Sequence, residues 1–128
     1  MGITAISTVV RNAACDAMVD KIDVGSADAQ GDLVGGTAAL AATLWTSILA
    51  NPAFGASAVG VATAGTIPEA TATGTGTAAM GKFQDRDNTE LWRFTINTSG
   101  ADLNLNTTAI TTGDKINISS ATITMPAA

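Results

Sequence analysis

Few residues in this chain carry chemistry, and each group that does has a structural use. Asp85, Asp87, Asn88 and Glu90 crowd one short segment, and Asp16, Asp20 and Asp23 recur at i, i+4 and i+7. Cys15 stands alone, and Gly74-Thr75-Gly76 lies in a glycine–threonine run. Clustered oxygens such as those of the first group are what a hard cation seeks. A calcium loop also requires a central Gly and a distant Glu at fixed spacing, and both are missing, so the segment reads as a solvated hairpin turn. The three helical carboxylates read as a solvated face, with Asp20 and Asp23 near a helix C-terminus where the dipole disfavours them. The glycine run has no following Gly-Lys-Ser/Thr and no strand-to-helix setting, so it is no phosphate loop.

Nucleophilic catalysis meets the same obstacle everywhere. The chain has no His, so the usual general base near neutral pH and the commonest metal ligand are both missing. Cys15 has no group beside it to lower its pKa and reads as a small buried or half-buried side chain. No Ser-x-x-Lys pair occurs to replace a Ser–His arrangement. No catalytic residue, cofactor, metal or small-molecule substrate is expected, and the chain is not expected to be an enzyme.

Composition points to a building material. Across 128 residues, 25 Ala and 20 Thr join 13 Gly, while charged residues make up 13% and aromatics 4%. The length suits one domain, residues 1–128, that buries about two-thirds of the surface of its unfolded chain. A lone Cys excludes an intrachain disulfide. The net charge is −5 and the six basic residues are scattered, which argues against a nucleic-acid partner. The N-terminus lacks a basic run before its apolar residues, so no signal peptide is expected, and Ile6 stands where a myristoylation motif needs Ser or Thr. Residues 33–68 hold no charge, yet the Gly, Thr and Ser within them and the lack of basic flanks favour a buried strand or an assembly interface over a membrane span.

The elements that must position these residues follow from periodicity. Residues 3–24 predict one amphipathic helix whose stripe is Ile6, Val9, Val10, Ala13, Ala14, Ala17, Met18 and Ile22, with Arg11, Asn12, Asp16 and Asp20 on the outer face. Thr4 or Ser7 caps its start, and Gly25 supplies a left-handed end. Residues 26–38 read as loop, with a short strand available at Leu33-Val34. Over residues 40–49, Leu40, Ala42, Leu44, Thr46 and Ile48 share one strand face, and Trp45 and Leu49 the other. Asn51-Pro52 ends that strand, Ala58–Ala64 is extended, and residues 70–77 are a loop or an edge.

The clearest hairpin covers residues 79–97, where Trp92, Phe94 and Ile96 share one face. Leu103 and Leu105 alternate with polar residues, and Thr112-Gly113-Asp114 turns the chain. In the last strand, Ile116 and Ile118 have even parity but Ile123 and Met125 odd, which demands a β-bulge or break near Ser119-Ser120, with the bulge preferred. About seven short strands over residues 39–128, preceded by one helix, predict a mainly β domain of β-sandwich or jelly-roll type.

Three stretches carry a resemblance: TAISTVVRNAACDAMVD, NPAFGASAVGVATAG and TSGADLNLNTTAITTGDKINISSATITMPA. They resemble small Ala/Thr/Gly-rich virion structural proteins of tailed bacteriophages. The resemblance implies a capsid decoration, or cement, protein, made in the host cytoplasm and carried on the virion surface. Such a protein sits as a homotrimer on the outer shell and bridges subunits of the major capsid protein. No functional residue transfers with it. From parity, Trp45 is the expected interface anchor unless the helix covers it, with Leu49 on the same face and Leu91 second. A tail, neck or fibre component is the alternative, though fibres repeat along their length and no repeat is found. A glycan-binding module using Trp92 near Asp85 and Asp87 is another.

Overall fold

A computed structural model describes residues 2–126; Met1 and the last two residues of the expected 1–128 unit lie outside the described residues. The chain is mainly β, with one N-terminal helix and a curled sheet. Helix α1 spans Thr8–Asp20 and tightens into a 3-10 turn at Lys21–Asp23. Of the two candidate caps Ser7 does the work: its backbone is extended and its Oγ accepts a hydrogen bond from the Val10 amide at 3.3 Å. The helix therefore starts five residues later than the expected 3–24. Gly25, at φ +113°, then redirects the chain. That conformation suits glycine, and a Cβ there would also press on the Asp87 side chain.

The main sheet is ordered β2-β1-β6-β7-β8, from Asp32–Gly36 (β1), Thr43–Ile48 (β2), Met80–Gln84 (β6), Glu90–Asn97 (β7) and Leu103–Asn104 (β8). Its pairs are antiparallel except β7–β8, where Ile96 lies opposite Leu103 in parallel. Three two-stranded ribbons complete the β structure. Val61–Thr63 (β3) pairs with Thr122–Thr124 (β11), and Ala70–Thr71 (β4) with Lys115–Ile116 (β10). Gly76–Thr77 (β5) pairs with Ala109–Ile110 (β9).

Strand β1 contains the short strand available at Leu33-Val34 and extends it through Asp32, Gly35 and Gly36, which were expected as loop. All five of its residues are buried and it runs between β2 and β6. Its glycines have a tertiary reason. Gly35 faces Gly81 across the β1–β6 pair, the Trp45 ring lies on the first and the Phe94 ring on the second, and a Cβ at either would overlap the ring.

The hairpin of β6 and β7 forms as expected, with a register shift between Phe83 and Gln84. Phe83 packs its ring 5.0 Å from Trp92, 5.4 Å from Phe94 and 6.0 Å from Phe54. Near Ser119-Ser120 the chain breaks its strand instead of bulging. Ile116 pairs with Ala70 of β4 and Ile118 is buried in the core, while Ile123 belongs to the separate β3–β11 ribbon. The extended segment 58–64 is also interrupted: Val59 and Gly60 both take positive φ in a two-residue turn closed by Ala58–Val61 hydrogen bonds.

Candidate functional site

Strand β2 settles where the expected anchors lie. Trp45 and Leu49 are 0% and 1% exposed, in the same core cluster as Leu44, Phe54 and Phe83. Both are sealed inside the chain's own core, so neither offers a surface to a partner, which corrects their expected role. The parity assignment itself stands: Trp45 and Ser47 point inward while Thr46 and Ile48 point out. The interior side, however, is the Trp45 side, with only Leu44 buried among the even positions. Leu91 is half-buried and packed against the core. Two polar atoms at this spot, Trp45 Nε1 and Ser47 Oγ, are buried with no hydrogen-bond partner.

The helix makes the larger departure: Ile22 and Met18 of the expected inner stripe do turn inward, but the rest of the docking side is the one expected to face solvent. Cys15, Val19 and Ile22 are buried, at the i, i+4, i+7 spacing. Around them, polar groups reach across to distant backbone. The Arg11 guanidinium donates to the Met125 carbonyl at 3.2 and 3.3 Å and to the Val59 carbonyl at 3.2 Å. The Asn12 side-chain oxygen accepts from the Gly60 amide at 2.7 Å, and its main-chain carbonyl from the Ser57 hydroxyl at 2.8 Å. Asp16 accepts from the Ser57 amide at 2.8 Å, Asp23 from the Ala53 amide at 3.1 Å, and Cys15 Sγ donates to the Ile123 carbonyl. Two of the three carboxylates expected on a solvated face are thus loop clamps, and only Asp20 is exposed.

The consequence is an uncovered apolar face. Val9 is 78% exposed, Val10 55%, and Ala13, Ala14 and Ala17 are exposed beside them, with Ile3 71% exposed just ahead of the helix. Small alanines remove little area from water on burial, so leaving Ala13, Ala14 and Ala17 outside costs little, whereas burying Val19 and Ile22 removes far more. At 100° per residue the outer stripe runs Val9, Asp20, Ala13, Ala17, Val10, Ala14 around the helix. The sequence signal for it was the same periodicity, with Val9, Val10, Ala13, Ala14 and Ala17 read as inward although only Met18 and Ile22 of that stripe turn in.

The acidic cluster of the β6–β7 turn is consumed locally. Asp85 Oδ1 accepts from the Asp87 and Thr89 amides at 2.9 Å each, and Asn88 donates to Asp28 at 2.9 Å. Glu90 pairs with Arg93 at 2.9 Å. Asp87 accepts from the Ser26 and Ala27 amides at 3.0 Å each, and these two bonds hold its carboxyl below the usual range. Asp32 on β1 is shifted the other way, first by burial and then by the Asp28 charge, with the Gln84 side chain opposing. Among the described residues no group of three His, Cys, Asp or Glu is placed to hold a metal ion, and no helix is long and apolar enough to cross a membrane.

One cleft, of about 580 Å³, opens between β7 and β11, lined by Trp92, Phe94, Asp102, Leu103 and Ile123. Asp85 and Asp87 do not line it. Asp102 does, but its carboxylate already accepts from the Thr95 amide at 2.9 Å and the Thr95 hydroxyl at 3.1 Å. Compared with known proteins, the chain matches no family model, no curated protein and no solved structure.

Proposed function

We propose that this chain is a structural subunit of a tailed-bacteriophage particle, a capsid decoration protein that binds the outer shell and bridges subunits of the major capsid protein. One observation carries the reading: α1 is clamped to its own domain through polar contacts while Val9, Val10, Ala13, Ala14 and Ala17 stay uncovered. A chain that acted alone would bury such a face, and contiguous exposed apolar surface marks a contact site. The resemblance of three stretches to phage virion proteins supplies the kind of assembly. We read the curled sheet and the ribbons as a jelly-roll-like sandwich, the compact form a repeating surface subunit needs.

The mechanism is mechanical. Each contact with a symmetric shell is weak, many copies add through avidity, and binding only to the assembled shell stabilises it by mass action. The particle surface is then the protein's location, after synthesis in the host cytoplasm. The test is co-sedimentation of purified protein with heads and, separately, with tails of the phage that encodes it. Saturable recovery with heads supports the reading. Recovery with tails only moves the protein to the tail or neck, and recovery with neither refutes a virion role.

A further inference from the structure

We infer that the cleft between β7 and β11 takes one extended, uncharged segment of the major capsid protein as an added strand, bonded to the free edges of both strands. The inference rests on the reading of the chain as a shell-binding subunit and names the contact by which it binds.

The lining shows that the cleft lies beside strand edges. Trp92, Arg93 and Phe94 border it in succession on one side, and Ser120–Thr124 in succession on the other. Side chains of a strand alternate between faces, so an unbroken run of residues borders a gap at an edge, not one over a single face. Leu33, Phe83 and Ile118 of the core give the gap an apolar floor. Strands β7 and β11 do not pair with each other across it.

Hydrogen-bond alternation fixes which backbone groups each strand turns to the gap. The Ile96 amide donates to the Ala79 carbonyl just before β6, so Trp92, Phe94 and Ile96 spend their groups on the β6 side. Arg93, Thr95 and Asn97 turn theirs the other way. Thr95 and Asn97 meet Asp102 and β8 there, which leaves the Arg93 N–H and C=O. On β11 the Ala121 carbonyl and the Met125 amide bond to Ala64 and Gly60 beside β3. Thr122 and Thr124 therefore turn their N–H and C=O groups away from β3. Among the described residues no hydrogen bond reaches these groups of Arg93, Thr122 and Thr124.

An extended chain satisfies that arrangement. Its backbone groups point to alternate sides, so two residues facing Thr122 and Thr124 flank a middle residue facing Arg93. Alternate side chains drop onto the apolar floor, the way added strands gain specificity. The segment is uncharged because both charged liners are already used: the Arg93 guanidinium bonds Glu90 at 2.9 Å, and the Asp102 carboxylate accepts from Thr95. A sugar would need those two heads free for its hydroxyls. A backbone hydrogen bond strengthens binding by about five-fold net, so one contact is weak and many on a shell hold through avidity.

Hydrogen exchange and head binding test this together. In the free chain the Arg93, Thr122 and Thr124 amides should exchange far faster than the paired Phe94 and Ile123 amides beside them. On undecorated heads of the phage that encodes the protein, those three amides should become protected ten-fold or more. Thr122→Pro removes an N–H that has no partner in the free chain and sets its ring into the gap, as an edge strand allows. It should keep the wild-type melting temperature and bind heads about five-fold more weakly or worse. Thr122→Ala keeps the amide and should bind as wild type. Head binding without new protection at these amides, or Thr122→Pro binding as tightly as wild type, would overturn the inference and leave the virion reading standing. Protection by a soluble glycan such as maltoheptaose, with none on heads, would also overturn it and give the cleft to sugar. Recovery with tails only, or with neither heads nor tails, would remove the capsid protein as partner and refute the head reading itself.

Discussion

Replacing Asn12 by Ala and, separately, Val9 by Ala puts the docking of α1 to a quantitative test, because the two possible orientations of the helix predict opposite orders. Asn12→Ala removes the oxygen that the Gly60 amide meets at 2.7 Å. Gly60 is buried, so its N–H is left without a partner at a cost of about 1–3 kcal/mol. The gain in helix propensity from Asn to Ala returns about 0.6 kcal/mol. The Ser57 contacts to the Asn12 carbonyl and Asp16 remain, so the net loss is about 1–2 kcal/mol. For a chain of 128 residues that is a fall in Tm of about 4–8 °C. Val9 is 78% exposed, so Val9→Ala should stay within about 0.5 kcal/mol of wild type or gain slightly through propensity. Thermal and urea unfolding followed by circular dichroism reads both values. A Val9→Ala loss of 1–3 kcal/mol with an indifferent Asn12→Ala would mean that the apolar stripe faces inward, and the account of the exposed face would fail.

Three further outcomes follow from the interior. Gly35→Ala forces a methyl group into the fully buried Trp45 ring and should cost about 3 kcal/mol, seen as a lower urea midpoint and a shifted tryptophan emission; an unchanged midpoint would show that the ring does not lie on Gly35. Ser47→Ala removes a buried hydroxyl with no hydrogen-bond partner and should leave Tm unchanged or raise it, by up to about 2 kcal/mol of stability, whereas a clear loss would reveal a partner for that hydroxyl. Asp32 has a folded pKa raised above its unfolded value, so its charge destabilises the fold once pH exceeds the folded value, and the penalty vanishes below the unfolded value. Asp32→Asn should therefore be more stable than wild type at pH 7, with the difference shrinking as pH falls through the carboxylate range; a constant difference would contradict the burial of that charge.

What was legible in the residues was local. Period-2 alternation of Trp92, Phe94 and Ile96 around an Asp-rich turn defines the β6–β7 hairpin, because strand faces and turn chemistry are encoded within a few residues. The parity conflict between Ile118 and Ile123 marked an irregularity near Ser119-Ser120, but the preferred bulge is a break, because the chain leaves one ribbon for another there. What was not legible depends on partners far along the chain. Beyond the short strand available at Leu33-Val34, Gly35 and Gly36 look like loop until the Trp45 and Phe94 rings explain the glycines of that neighbourhood. The helix carries two apolar sides, and the choice between them rests on carbonyls at residues 59, 123 and 125 that accept Arg11 and Cys15. Trp45 was placed on the correct face of β2, but which face is the interior is set by the sheet and its cover, not by the strand alone.

The central functional claim is that the chain stabilises a phage shell from outside, and heat disruption of undecorated heads from the phage that encodes it, titrated with the protein, tests it most directly. The account predicts a disruption temperature that rises with added protein and levels off at a fixed ratio of this chain to the major capsid protein. Heads that come apart at the same temperature at every ratio would contradict it.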